Sequence, residues 1–394
     1  MFSFCSKRTV ALPEIIRVAS AGTLLVAVAG IFVLHAQGSM NIFVHDPVMI
    51  RQDSIYYVYY TGNLTPYKTS NSRYSGWRDR GSTFTSSPSW IASTVPGNNG
   101  RDFWAPDISF RDSTYWLYYS VSTFGSNTSA IGLATSPTLD PSAANYHWTD
   151  QGVVMKSSGS NNYNCIDPNV FEDTDGKVWL TFGSFWTGIK MIELDRTTGK
   201  PLQNAQLRSI ASRPSTEIEA PFLTRWENHY YLFVSWDKCC NGANSTYKIV
   251  VGRSETVVGP FVDKTGREMT SGGGTIIDSG TAQWKGPGHN GIFIENDTMF
   301  CINHAYAATS GVATMFIRPL YWKDGWPQFT YVPPTAARTG RKADGVIGKY
   351  AYSRLLLVTG GGNPVLMATD GKTYYTITGA HLGKNALQRQ QFWR

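Results

Sequence analysis

Five segments of this chain repeat one phrase: a short polar or acidic turn, a Pro or Gly, a hydrophobic strand, a polar turn and a second, aromatic strand. They read HDPVMIRQDSIYYVYY from His45, APDISFRDSTYWLYY from Ala105, DPNVFEDTDGKVWLTF from Asp167, APFLTRWENHYYLFV from Ala220 and NGIFIENDTMFCIN from Asn290. Aligned on Pro47, Pro106, Pro168, Pro221 and Gly291, the repeats lie 59, 62, 53 and 70 residues apart. Apolar residues alternate on either side of a turn containing Asp, Asn or Gly, as the two strands of a hairpin require. A hairpin opening a unit of this period is the signature of a propeller blade, a sheet that buries its faces only against its neighbours. The expected fold class is therefore all-β, a five-bladed β-propeller from about Asn41 to Gln328. A β-sandwich would leave the shared phase of the five hairpins unexplained.

Composition agrees. With 42% hydrophobic, 13% aromatic and only 16% charged residues, and 38 glycines for turns, the chain is neither disordered nor a coiled coil. The net charge of +7 belongs to the ends. Beyond Thr335 nine Lys/Arg face two acids, and the first 38 residues hold three against one, which leaves 23 basic and 25 acidic residues between. A nearly neutral body has no electrostatic footprint for nucleic acid.

Three stretches are expected. Residues 1–38 read as a targeting segment: Lys7, Arg8 and Arg17 precede the apolar run Val18 to Leu34, and small residues follow at Ala36 and Gly38. Cleavage there gives a secreted protein; retention gives a type II membrane anchor. Sequons at Asn63, Asn127, Asn244 and Asn296 agree with secretion. Residues 39–332 are the propeller. Residues 333–394 are a linker, PPTAARTGRKADG, and a basic C-terminal extension with one or two hairpins; packing on the propeller, a basic binding appendage and a poorly folded extension all stay open, the last favoured slightly. Cys165, Cys239, Cys240 and Cys301 lack the CxxC spacing of a zinc site; Cys239–Cys240 as a vicinal disulfide and pairing elsewhere both stay open.

The first strand of every blade lines the central channel, so the residues opening each repeat converge in one funnel: His45–Asp46, Asp107, Asp167, Glu219 and His289. Gathered carboxylates and histidines admit a metal cluster or paired-carboxylate hydrolysis of a glycosidic bond. A hard-cation cage wants six to eight oxygens from a compact loop, and no EF-hand-like loop occurs in the sequence. Glycoside hydrolysis needs only two carboxyl groups of different proton affinity across a sugar.

VHDP (Val44–Pro47), FWAPD (Phe103–Asp107), IDPNVF (Ile166–Phe171), GSFW (Gly183–Trp186), IEAPF (Ile218–Phe222), WDKCC (Trp236–Cys240) and GPGHN (Gly286–Asn290) together resemble glycoside hydrolase family 43, and within it the fungal-type secreted endo-1,5-α-L-arabinanases. The resemblance spans about Asn41 to Pro327. It implies an inverting hydrolase of arabinan, a neutral pectin side chain, acting as a monomer without a stable protein partner. It makes Asp46 the general base, Glu219 the general acid and Asp167 the residue that keeps Glu219 protonated and oriented. Strand alternation alone does not separate Glu219 from Glu217. Trp104, Asp107, Asn169, Ser184 and Trp186 are the implied substrate contacts, Asp107 being read equally as a support for blade two. The resemblance implies no cofactor for the chemistry and a structural calcium near His289, completed by water.

The sequence departs from the family at His304-Ala305-Tyr306-Ala307, where arabinanases tend to have His-Tyr-Tyr-Asp. Exo-acting arabinofuranosidase or β-xylosidase action on the same scaffold is the nearest rival function. A sugar-binding propeller without activity is the next, and a protein-interaction propeller the third. WDKCC and GPGHN, and the lack of a second large β-sandwich domain in the sequence, favour endo action.

Overall fold

A computed structural model describes residues 39–329 and four short strands between 355 and 383. The chain divides into two units, 1–332 and 333–394. In the first, five antiparallel blades form in sequence order, each of four strands except the second, which gains a fifth short strand, Gly62–Asn63, beside its inner one. Their inner strands are Val48–Gln52, Asp102–Arg111, Asn169–Glu172, Ile218–Trp226 and Trp284–Glu295. Blade five takes its outermost strand from the other end of the propeller: Ser39–Phe43 pairs with Ala313–Pro319. Hydrogen bonds between first and last blades thus close the ring, which the repeat alone did not reveal.

Each joint between blades has its own apolar cluster. Tyr57, Tyr59 and Tyr67 meet Ile108, Tyr115 and Leu117 between blades one and two. Tyr118, Ile131 and Leu133 meet Val178, Leu180 and Phe182 in the next joint, and Trp179, Ile189 and Met191 meet Leu223, Leu232 and Val250 in the third. Phe233, Ile249 and Val251 pack on Met299, Cys301 and Leu320. Val58 and Tyr60 pack on Phe300, Ile302 and Met315 to complete the circle. Alternate residues of flat, β-branched and aromatic strands supply both faces of a blade, so no blade is stable without both neighbours.

The inner strands share a defect that aims the site. In blades two, four and five the register with the second strand slips by one residue at Ala105-Pro106, Ala220-Pro221 and His289-Asn290. The first residue of each such bulge is left-handed, with φ of 24° at Ala105, 54° at Ala220 and 48° at His289, and Asp46 and Asp167 match them at 51° and 59°. This conformation is uncommon outside glycine, and β-bulges re-aim side chains beside active sites. The register also corrects the alignment of blade five: Asn290, not Gly291, stands opposite the four prolines.

A hydrogen bond from the preceding blade holds each bulge. The backbone N–H of Ala105 donates to Thr61 Oγ1 (2.8 Å), that of Asp167 to Ser120 Oγ (3.0 Å), that of His289 to Ser235 Oγ (2.8 Å) and that of Asp46 to His304 Nδ1 (3.1 Å). In blade three the equivalent position is Gly183, at φ 133°, where an added Cβ would stand 2.7 Å from the Gly188 carbonyl oxygen. No side chain fits there. The Asp167 carboxylate replaces it, accepting the Ala220 N–H at 3.1 Å.

The second unit contains a four-stranded antiparallel sheet, Leu355–Val358, Val365–Ala368, Tyr374–Thr376 and His381–Gly383, paired in sequence order. Among the described residues no helix is long and apolar enough to cross a membrane, and the run Val18 to Leu34 lies outside them. Of the four sequons, Asn63, Asn244 and Asn296 are exposed, whereas Asn127 is buried. Its amide nitrogen donates to the Asn161 and Tyr163 carbonyls at 2.9 and 3.1 Å. A glycan on Asn127 would break this anchor, so only three sequons agree with secretion.

Candidate active site

One cavity of about 870 Å³ opens at the funnel, and Asp46, Asp167, Glu219 and His289 line it together. The three acids come from separate blades and are 8%, 6% and 7% exposed, so each is largely desolvated. Trp104, Phe124, Phe185 and Trp186 give the walls an apolar face. Ser184 and the disulfide-bonded Cys239–Cys240 also line it. The sulfurs thus form the vicinal pair, and Cys165 and Cys301 are free and buried.

Asp46 is held as a carboxylate. Its Oδ2 accepts from Thr61 Oγ1 at 2.6 Å and lies 2.8 Å from His45 Nδ1, and its Oδ1 lies 3.1 Å from His289 Nδ1. Burial would raise this carboxyl, but the two histidines outweigh it and hold the group well below the usual range. An ionised carboxylate oxygen has two acceptor sites; with His289 beside Oδ1, one remains on that oxygen for a water.

Glu219 and Asp167 are driven the other way. Burial raises Glu219, against the hydrogen bonds from Ser184 and Tyr247, and the Asp46 charge adds to the rise. Asp167 is pushed up to about 8 by burial, against the pull of His289 and with the charges of Glu219 and Asp46 adding. Two such carboxyls titrate as a pair, and the pair retains a proton at neutral pH. Ser184 Oγ donates to Glu219 Oε2 at 2.6 Å and the Tyr247 hydroxyl to Oε1, so both acid oxygens are fixed. Burial and the neighbouring carboxylates keep the Tyr247 phenol well above its usual pKa, hence a donor. Glu217 precedes the inner strand and pairs with Lys238 at 3.5 Å, outside the cavity lining.

Two residues expected among the sugar contacts stand elsewhere. Asp107 does not line the cavity: its Oδ2 accepts the Val170 N–H at 2.7 Å, across the joint to blade three. Asn169 repeats the device one blade on, its Oδ1 accepting the Leu223 N–H at 2.8 Å. Each comes two residues after the left-handed residue of its repeat, Ala105 or Asp167. Trp104, Ser184 and Trp186 do line the cavity.

His45, His304 and Asp46 offer ligand atoms within 4.8 Å of one another. Two of the trio's ring nitrogens already serve the protein's own hydrogen bonds. His304 Nδ1 accepts the Asp46 N–H, so its other nitrogen carries the proton, and burial keeps the ring neutral. His45 Nε2 is engaged by the Tyr306 hydroxyl, while Nδ1 stands 2.8 Å from Asp46 Oδ2 outside hydrogen-bond geometry. His289 differs: Nδ1 faces Asp46, and Nε2 has no partner among the described residues. Burial lowers its pKa, yet the Asp46 carboxylate, with Asp167 and Glu219, pushes it up to about 9. A cation can take the place of that proton, with the carboxylate orienting the ring. The donor set fits a water-rich site with one protein nitrogen.

Sequence reasoning missed Tyr247, Thr61, Tyr306 and Phe124. Phe124 is 86% exposed and still lines the cavity, an unusual place for a Phe. The departure in blade five spares the site. His304 and Tyr306, the retained residues, bond to Asp46 and His45, whereas Ala305 lines a separate small cavity with Asn303, Phe316 and Arg318.

Carboxyls of opposed proton affinity beneath aromatic walls define a glycoside hydrolase of the acid–base type. The model of Glycosyl hydrolases family 43 matches residues 39–327, and the chain belongs to that family. It is 48% identical over 300 residues to the extracellular endo-α-(1→5)-L-arabinanase 1 of Bacillus subtilis, covering 74% of this chain and 89% of that protein. It is 40% identical to the extracellular exo-α-(1→5)-L-arabinofuranosidase ArbA of Cellvibrio japonicus, covering 74% and 88%. The solved structure of a Cellvibrio cellulosa α-L-arabinanase complexed with arabinohexaose superposes with a TM-score of 0.71 at 39% identity, covering 73% of this chain and 96% of that one.

Proposed function

We infer that the protein hydrolyses α-1,5-L-arabinofuranosidic bonds within arabinan by endo cleavage, with inversion. The observation that carries this reading is the split in proton affinity across one cavity: Asp46 held ionised, Glu219 and Asp167 both raised and sharing a proton as a pair. Asp46, with one free acceptor site, deprotonates a water on the face of the sugar opposite the leaving group. Glu219 gives its proton to the glycosidic oxygen. Asp167 supplies the negative neighbour that keeps the acid loaded, and its own oxygen is fixed by the Ala220 N–H. Trp104 and Trp186 offer flat faces to arabinose rings, and Ser184 orients the acid.

His289 would contribute one nitrogen to a calcium shell otherwise made of water. Such an ion supplies fixed positive charge beside the acids, and no proton transfer passes through it. The extracellular designation of the relatives, with the three exposed sequons, supports secretion. Exo action is the second reading, favoured by the likeness to ArbA. A product time course on linear arabinan separates the two: mixed oligomers early mean endo cleavage, arabinose alone means exo. Tight arabinan binding without any product would mean a sugar-binding propeller.

A further inference from the structure

Cys239–Cys240 lies at the cavity wall, on the loop after the second strand of blade four. The Cys240 N–H donates to the Tyr306 hydroxyl of blade five at 2.9 Å. That hydroxyl lies 2.8 Å from His45 Nε2 of blade one, and His45 Nδ1 lies 2.8 Å from Asp46 Oδ2. The Tyr306 oxygen accepts from the backbone and has its own proton to give to His45 Nε2, which puts the ring hydrogen on Nδ1, the nitrogen at ion-pair distance from Asp46 though outside hydrogen-bond geometry. Three blades meet in one chain of polar contacts that ends on the carboxylate assigned as base.

We propose that the Cys239–Cys240 loop is the outer anchor of this chain, and that Tyr306 and His45 are positioning residues for Asp46. The inference rests on the reading of Asp46 as the base. Cys240 is exposed and left-handed, at φ 62°, so its N–H direction depends on a backbone conformation that non-glycine residues seldom adopt. A disulfide between adjacent residues closes a small ring around the intervening peptide and restricts that backbone. The His45 ring is braced from the other side, stacked on His304 with centroids 4.1 Å apart. Both Asp46 oxygens are then fixed from separate blades, and the remaining acceptor site on Oδ1 keeps one direction toward the water. A base misplaced by an ångström costs up to about a hundredfold in rate.

The test uses the full chain and measures kcat and KM on linear arabinan for Tyr306→Phe, for the double variant Cys239→Ser/Cys240→Ser, and for the two combined. The wild type treated with a phosphine reductant is a further arm; Cys239–Cys240 is the only disulfide among the described residues. The expected result is a fall in kcat of about tenfold or more for Tyr306→Phe, with KM within about twofold. The serine pair and the reduced enzyme fall similarly, and the combined variant falls no further, as links of one chain should. Wild-type kcat in Tyr306→Phe, or losses that multiply when combined, overturn the proposal. If Tyr306→Phe does not fold, wild-type kcat in the reduced enzyme overturns it instead. Asp46→Asn is measured alongside: an active Asp46→Asn enzyme means the base assignment has failed, whereas an inactive one beside a fully active Tyr306→Phe enzyme means only this inference has.

Discussion

Asp46 and Asp107 are both aspartates at the openings of propeller repeats, and both are almost inaccessible to solvent, yet they are set to opposite states. Asp46 occupies the left-handed position equivalent to the bulge, faces the cavity and is held ionised by two histidines. Asp107 follows its bulge and is sealed in a joint. Burial pushes it up to about 7, against the Val170 N–H and Asn169, and its work is to tie blade two to blade three. Two positions in the repeat separate a group that can do chemistry from one that holds the ring. Sequence likeness treats the two alike because both belong to the family's motifs; only the register distinguishes them.

The comparison breaks most plainly at the acid. Glu219→Gln leaves an amide that keeps the hydrogen bonds but has no proton of suitable acidity to give. Activity on arabinan should fall about a thousandfold, in steady-state assays with thermal unfolding unchanged. Asp167→Asn should lower kcat by about ten- to a hundredfold and move the alkaline limb of the pH profile down, since Glu219 loses a negative neighbour. Its stability should change the other way. A buried carboxyl at about 8 binds a proton that the unfolded chain releases near pH 4. The wild type is therefore most stable below that lower value and loses the contribution as pH rises toward 8. The Asn variant, with nothing to ionise, should unfold at a higher temperature than wild type above neutral pH. An unchanged melting difference across pH would contradict the raised pKa.

The joint should answer differently. Asp107→Ala leaves the buried Val170 N–H without an acceptor and should cost about 1–3 kcal/mol in denaturant unfolding. Activity per folded molecule should stay within about threefold. A large loss of kcat with unchanged stability would return Asp107 to the substrate. Chelator treatment should be smaller in its effect on chemistry: a lower melting temperature restored by calcium, with kcat changed least. Loss of activity without loss of stability would mean that the ion takes part in the reaction.

The repeat made the ring and its acids legible, because propeller geometry turns a shared phase into a shared location. Asp46, Asp167 and Glu219 were readable for that reason. Closure by Ser39–Phe43 was not, since a lone edge strand carries no repeat of its own. The shift from Gly291 to Asn290 was hidden too, because a bulge adds a residue without leaving a compositional trace. Tyr306 acts on His45 across 261 residues of sequence, and Tyr247 on Glu219 from a neighbouring strand. Such contacts follow no period. They could have been suspected only from polar residues in otherwise apolar strands, as at His304 and Tyr306 within INHAYA.

The central claim is that a water activated by Asp46 attacks opposite a leaving group protonated by Glu219, and the anomer released first reads this directly. Proton NMR of the wild-type enzyme on linear arabinan, recorded before mutarotation, should show the new reducing end appearing as the β-anomer. Early accumulation of the α-anomer would mean retention, and with it a covalent intermediate that this arrangement of acids was not assigned to make.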